Sequence, residues 1–415
     1  MKNKINNLFF VLVLAMSWSC SSNQSRNTVV FPEIEGPVQI TQHTQNTKEH
    51  LFASYYGINS WSNSERYVTV LETDIRYKLP DENDAATLGL VDLENNKFIP
   101  LTTTRAWNFQ QGCMAHWLAT SPDSLIIYND FRNGRYVSVI LNVFTKKEIK
   151  VIPFPVSAVS PNGKEAVCIN FSRIRITRPD YGYGGNGQDS KPEVQFPEDD
   201  GIFIVNLETG KAKMIVSVSQ IKKMVPDIPE EGIEYFNHTL FSRKGDKIFW
   251  LARATPVRNT SAFTVNRDGT NIQRCFPDGW GGSHFDWLND KELMVTAKYD
   301  AKQMSHILFT IGKQDYKRLG NGLLDGFDGH GCFSPNEKWM STDTYPHGGS
   351  RDQKIYLMDM KTQAILPLGR YFEPKEYKGY WRCDLHCRWS PKGDMLGFNS
   401  THSGSRQVYI FKFKK

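Results

Sequence analysis

Short apolar runs and polar turns alternate along this chain with a strand-like rhythm, and a sustained helical period is almost absent. A polar turn of the Ser-Pro-Asx-Gly type, or a close variant, recurs seven times. It stands at Ser62-Asn63-Ser64, Ser121-Pro122-Asp123, Ser160-Pro161-Asn162-Gly163, Ser242-Arg243-Lys244-Gly245, Leu288-Asn289-Asp290, Ser334-Pro335-Asn336 and Ser390-Pro391-Lys392-Gly393. Each turn precedes an apolar run: 67–71, 125–128, 166–171, 248–251, 293–297, 339–342 and 395–399. A second mark follows, an apolar strand ending in an Asn/Asp/Gly turn, as in Leu90 to Asn96, Ile204 to Gly210 and Tyr356 to Thr362. Only 216–225 carries the signature of a short helix.

Two hairpins per unit, repeated at intervals of roughly 40 to 60 residues, describe four-stranded blades set around an axis. Such blades bury their faces only against neighbours, so the ring must close. The fold class is therefore all-β, a single seven-bladed β-propeller over residues 29–415. The last strand, 407–413, is expected to pair with an N-terminal strand near 29–31. The long gap between Ser160 and Ser242 has room for an eighth blade, but the glycine-rich stretch 181–188 within it reads as a loop.

Of 415 residues, 40% are apolar and 13% aromatic, and the net charge is +6, with no basic stripe of the nucleic-acid-binding kind. The first residues change the picture more. Lys2 and Lys4 precede an apolar run at 8–16, too short to span a bilayer, and then Ser17-Trp18-Ser19-Cys20. This reads as a lipoprotein signal at 1–19, lipidation at Cys20 and a tether over 20–28. The expected location is the periplasm or outer membrane, with contact to the membrane only through the lipid and a monomeric state.

Candidate chemistry gathers in the C-terminal third. His284, His330 and His386 each stand a few residues before a blade's turn, so equivalent positions point them toward the axis. With Cys332 or Cys383 they form a set of the ligand types zinc prefers. A structural metal, zinc or calcium, is expected on His284, His330, Cys383 and His386, with none required for chemistry. Near the N-terminus, His50 precedes the paired Tyr55 and Tyr56. A histidine there has the titration range of a general acid or base. Asn108 to Gly112 and Tyr128-Asn129-Asp130 are polar stretches suited to lining the axis or capping inner strands. Arg173, Arg175 and Arg178 beside Tyr181 to Tyr183 suit a uronic acid, by ion pairing and ring stacking. No Asp or Glu pair of the usual glycosidase kind stands apart from the turn acids.

Taken together, the stretches 107–112, 173–183, 283–287, 329–346 and 382–409 resemble a group of exported propeller enzymes that degrade acidic polysaccharides. The group includes ulvan lyases, oligogalacturonate lyases and α-L-rhamnosidases of gut Bacteroides that act on rhamnosyl-α-1,4-glucuronate caps of arabinogalactan. The lyases carry a histidine in blade two close to the position of Asn129, together with a tyrosine and an arginine; this chain reads Tyr128-Asn129-Asp130 there. The rhamnosidases act through one histidine near the N-terminus, where this chain has His50. The resemblance thus implies an exo-acting α-L-rhamnosidase with His50 catalytic, and Tyr55, Tyr56, Arg173, Tyr181, Arg382 and Arg406 binding an acidic plant polysaccharide. Its alternatives are a polysaccharide lyase working by β-elimination and a non-catalytic glycan-binding propeller.

Overall fold

The computed structural model describes residues 29–41, 48–184, 191–225, 228, 230, 232–256, 259–346 and 349–414. Residues 31–415 form one compact unit. Within it lie seven antiparallel sheets of four strands each, as the repeat predicts. Blade 1 spans 49–104, blade 2 116–152, blade 3 156–217, blade 4 233–274, blade 5 285–318 and blade 6 332–372. Blade 7 combines 388–413 with Ile34–Gln39, which pairs antiparallel with Gln407–Phe413 and closes the ring. The closing strand therefore lies a few residues beyond the expected 29–31.

The recurring turn serine has a physical role. In five blades its side-chain oxygen accepts the backbone N–H five residues on: Tyr67, Glu165, Lys247, Trp339 and Met395. Each bond ties the first strand of a blade to its second, satisfying a donor the turn would leave unpaired. Blade 5 has Leu288 in that place, and Asn289 does the work instead, its Oδ1 accepting Glu292 N–H at 2.9 Å. Burial then follows radial position. Second strands such as Lys247–Thr255 are buried along most of their length, whereas the outer strand Glu148–Ile152 is largely exposed. An inner strand is covered on both faces by neighbouring blades, and an outer one borders water.

No blade hides in the gap between Ser160 and Ser242. It is an insertion between the second and third strands of blade 3, Glu165–Cys168 and Gly201–Asn206. The insertion holds a helix, Phe171–Thr177, whose first turn is capped by the Asn170 side chain accepting Arg173 N–H. A second helix, Val218–Met224, follows the blade, close to the stretch the sequence marks.

Blade 1 has one departure that shapes the whole molecule. Its first strand, Glu49–Phe52, leaves the sheet after Ala53 and rejoins it at Trp61, which pairs with Val68. Residues 54–60 loop into the axis between these points. The Ser54 and Ser60 hydroxyls close the loop's neck at 2.9 Å, and Arg388 Nη1 donates to the Ser54 carbonyl and the Ser60 hydroxyl. Tyr55 and Tyr56, at most 3% exposed, face one mouth of the ring. Gly57, Ile58 and Asn59 line a cavity of about 370 Å³ at the other mouth, among the Ser-Pro turns. The loop is backed by Gly112, whose φ of +58° suits glycine and where a Cβ would sit 2.4 Å from the Ala53 backbone.

Candidate active site

Four histidines meet at the mouth faced by Tyr55 and Tyr56. His238, His284, His330 and His386 come from blades 4, 5, 6 and 7, each four residues before the blade's turn residue. All are buried, at most 4% exposed. Tyr55 stacks on His238 with centroids 4.8 Å apart and meets His386 edge-on at 5.1 Å. Tyr56 packs against His330 at 5.1 Å, and its hydroxyl accepts Phe285 N–H at 2.7 Å. His238 and His386 have φ of +58° and +50°, a left-handed backbone that non-glycine residues adopt at some energetic cost and that turns their rings toward the axis.

His330 and His386 are aimed at one point. Their Nε2 atoms lie 3.1 Å apart, and Asp384 Oδ2 is 3.8 Å from His386 Nε2. The three side chains place their ligand atoms within 4.8 Å of one another. Asp343 fixes the arrangement from behind. Its Oδ1 accepts both the N–H and Nδ1 of His330 at 2.8 Å, and its Oδ2 accepts His386 N–H at 2.9 Å. With Nδ1 committed to a carboxylate, His330 presents the Nε2 lone pair to the centre, the usual backing of a metal-binding histidine. Burial pushes His330 down, but the charge and hydrogen bond of Asp343 outweigh it and hold His330 above its ordinary range. Burial and His330 hold His386 well below that range. Asp384 Oδ2 is buried and lies 3.0 Å from Arg382 Nε in an ion pair. Two facing imidazole nitrogens and a carboxylate oxygen fit a divalent transition metal better than calcium, which prefers all-oxygen shells.

His284 belongs to a different arrangement. Its ring lies tilted against His330 with centroids 3.7 Å apart, while its Nδ1 faces Asp328 Oδ1 at 3.1 Å. Its Nε2 lies 3.3 Å from the hydroxyls of Tyr345 and Ser283. Burial and His330 keep His284 below the usual histidine range, against the opposing pull of Asp328. Burial opposes ionisation of Asp328, but His284 beside it prevails and brings the carboxyl down. In the tautomer with the proton on Nδ1, His284 presents that N–H to the carboxylate and leaves Nε2 to accept from Tyr345. Tyr345 is itself held well above the ordinary phenol range by burial and by Asp384. Arg382 closes this side of the mouth, with Nε on Asp384 Oδ1 at 3.1 Å, Nη1 on Asp180 at 3.3 Å and Nη2 near the Tyr181 hydroxyl at 3.4 Å.

The residues singled out in the sequence divide between this mouth and other places. Tyr55, Tyr56, Tyr181, Arg382, His284, His330 and His386 converge on it. Cys383 does not join the metal-type group: burial pushes its thiol up to about 12, and its neighbour Asp384 takes the place. Arg173 faces inward. It is 2% exposed, and its guanidinium donates to the carbonyls of Glu234, Lys191, Val194 and Gln195, which staples the blade 3 insertion to blade 4. Arg406 is 1% exposed and donates to the carbonyls of Trp381 and Arg382, holding the loop that carries Arg382 and Asp384. Neither reaches a surface where a glycan would lie. His50 is fully buried in blade 1, with Nδ1 on Gln407 Oε1 at 2.9 Å and Nε2 on Glu72 Oε2 at 3.1 Å. Both ring nitrogens are thereby engaged. Asn129 is likewise internal, donating to the Val156 carbonyl and the Tyr183 hydroxyl. Cys20 lies outside the described residues.

Sequence reasoning passed over His238, Tyr345, Asp328, Asp343 and Asp384 as site residues. His238 was findable, because it precedes Ser242 by the same four residues that separate His330 from Ser334 and His386 from Ser390.

No protein-family model and no curated protein matches the chain. Solved structures do. An oligogalacturonate lyase from Vibrio parahaemolyticus aligns with a TM-score of 0.63 at 13% identity, covering 92% of this chain and 97% of its own. An oligogalacturonate lyase in complex with manganese aligns with a TM-score of 0.63 at 14% identity, covering 93% and 99%. At these identities the likeness extends to the fold alone, a seven-bladed propeller.

Proposed function

We propose that this chain is a metal-assisted polysaccharide lyase that cleaves uronate-containing glycans by β-elimination at the histidine-lined mouth. The observation that carries the reading is the pairing, within one mouth, of a polarised Asp328–His284–Tyr345 line with the His330, Asp384 and His386 cluster. The sequence-level preference for hydrolysis through His50 gives way to its alternative, because both ring nitrogens of His50 are engaged inside the ring. The likeness to oligogalacturonate lyases, one of them solved with manganese, supports the same choice.

His330, Asp384 and His386 are the residues that would hold a divalent metal. Such an ion supplies Lewis-acid polarisation of a substrate carboxylate, which acidifies the neighbouring C5–H. The chain's own residues then move one proton. The Tyr345 oxygen takes the C5 proton while its own passes to His284 Nε2, with Asp328 stabilising the imidazolium that forms. The C5–H electron pair becomes the C4=C5 double bond as the C4–O bond breaks. The leaving oxygen takes the proton back from His284 through Tyr345, which restores the resting state. Arg382, paired with Asp180 and Asp384, holds Tyr181 and Tyr345 at the rim as a surface for sugar rings. On the Lys2–Cys20 leader, we place the enzyme as an exported, lipid-anchored monomer acting on acidic plant polysaccharide.

The test is to incubate the mature protein and manganese with polygalacturonate, ulvan and gum arabic, following ultraviolet absorbance and free monosaccharide together. Absorbance from an unsaturated uronate is the expected result. Free rhamnose without absorbance returns the chain to the hydrolase reading.

A further inference from the structure

The mouth away from the histidines, lined by Gly57, Ile58 and Asn59, has a charge pattern of its own. Beside the cavity of about 370 Å³ lies a second of about 260 Å³, and the two share those loop residues together with Arg243, Asp286 and Pro391. Two guanidinium groups, Arg243 and Arg388, and one carboxylate, Asp286, line the smaller cavity. Asp286 is already engaged. Its Oδ2 accepts Phe333 N–H at 2.8 Å and lies 3.5 Å from Arg243 Nη2. Arg388 is only 2% exposed, and among the described residues it has no acidic partner.

A buried guanidinium without a counter-anion is costly, and this one is held rigidly in place. Nε donates to the His386 carbonyl at 3.3 Å, and Nη1 donates to the Ser54 carbonyl at 3.0 Å and the Ser60 hydroxyl at 3.1 Å. Cζ lies 4.0 Å from the centre of the Phe52 ring. Nη2 makes no hydrogen bond among the described residues. Arg243 is partly exposed and is fixed by its Nε on the Trp287 carbonyl at 2.8 Å, which leaves its Nη1 equally without one. Two pre-organised donors and one surplus positive charge in a single cavity favour an anion. A carboxylate matches them best, because its paired oxygens accept from guanidinium N–H groups. The larger cavity offers room for the rest of such a ligand. Trp117 and the exposed rings of Pro122 and Pro161 give it apolar walls, and the exposed Asn63 amide gives it a hydrogen-bonding group.

We propose that the turn-lined mouth is a second binding site, for a small sugar acid whose carboxylate sits on Arg388 and Arg243 and whose ring lies in the larger cavity. Arg388 supplies the buried charge. Asp286 orients Arg243 rather than cancelling both arginines. The site is distinct from the histidine mouth, and it stands whether or not elimination takes place there.

Calorimetry on the full mature chain tests the assignment, with D-galacturonate as the probe and D-galactose as its uncharged counterpart. Wild type should bind galacturonate at least about tenfold more tightly than galactose. R243Q should lose about tenfold or more on galacturonate, and R243K should recover part of that loss. R388K, which keeps the charge but not the fork, should also weaken galacturonate. Where R388K fails to fold, the Arg243 pair decides alone, since its partly exposed side chain can be changed with a melting temperature within a few degrees of wild type. R382Q, at the histidine mouth, should leave galacturonate binding in place. Absence of galacturonate binding, equal binding of galactose, or an unchanged R243Q overturns the proposal. So does a loss confined to R382Q, which would place the sugar acid at the histidine mouth instead.

Discussion

Blades 4 to 7 and blades 1 to 3 are built on one plan and use it oppositely. Four residues before the turn, blades 4 to 7 place His238, His284, His330 and His386. Blades 1 to 3 place Ile58, Trp117 and Val156 at the same offset, all buried. The scaffold offers seven equivalent positions, and only a contiguous arc of four carries histidines. The other side supplies cover instead: the axial loop 54–60 from blade 1, its backing around Gly112 from blade 2, and the helix and Tyr181 from the blade 3 insertion. Proton-transfer groups need a wall that excludes water and fixes their rings. The asymmetry divides those two tasks between the halves of one ring.

Breaking the reactive arc should have the largest effect. Tyr345→Phe removes one hydroxyl and is expected to lower elimination by about 10²- to 10⁴-fold with unchanged melting temperature, measured by absorbance of the unsaturated product. Chelation, or His330→Ala, should cost at least about 10- to 100-fold, restored by added manganese only in the wild type. A chelated enzyme that retains full activity would remove the metal from the scheme. On the structural side, His50→Ala leaves Glu72 and Gln407 without their partner and should cost about 1–3 kcal/mol in denaturant unfolding, with kcat unaltered. A loss of kcat with no loss of stability would return His50 to catalysis and undo the division between arcs.

A subtler probe is Glu234. Its carboxyl is buried without hydrogen bonds, and burial raises its pKa to about 8. An unfolded chain ionises this group near 4.3 (about the usual glutamate value), so folding is increasingly disfavoured as pH rises from there through about 8. Glu234→Gln removes that liability. Its melting temperature should match wild type near pH 4 and exceed it at pH 9. The smallest expected change is Ser334→Ala. It deletes the bond to Trp339 N–H at 2.9 Å and should cost about 1 kcal/mol without altering activity.

The ring was legible because every blade repeats its turn serine, and a local bond from that serine to a nearby N–H writes itself into the sequence. Convergence of His284, His330 and His386 was legible for the same reason: equivalent offsets point to one axis. What stayed hidden depends on contacts across long separations. Asp343 orients two histidines from two blades, and Tyr345 meets a histidine 61 residues away. The outward promise of Arg173 and Arg406 failed because their guanidinium groups are consumed by backbone carbonyls that a loop and a helix happen to leave free. The choice of Cys383 over Asp384 turned on one position, which the residue types alone do not settle.

The loop at 54–60 has a further consequence for traffic. A ring with an open bore lets a polymer be threaded and pushed out at the far side. Here Tyr55 and Tyr56 are buried and pack against the histidines across the bore. On the proposed lyase reading, a glycan enters and both fragments leave by the histidine mouth. Departing fragments and incoming chains then compete for one doorway, so accumulated product acts as a brake on the next turnover.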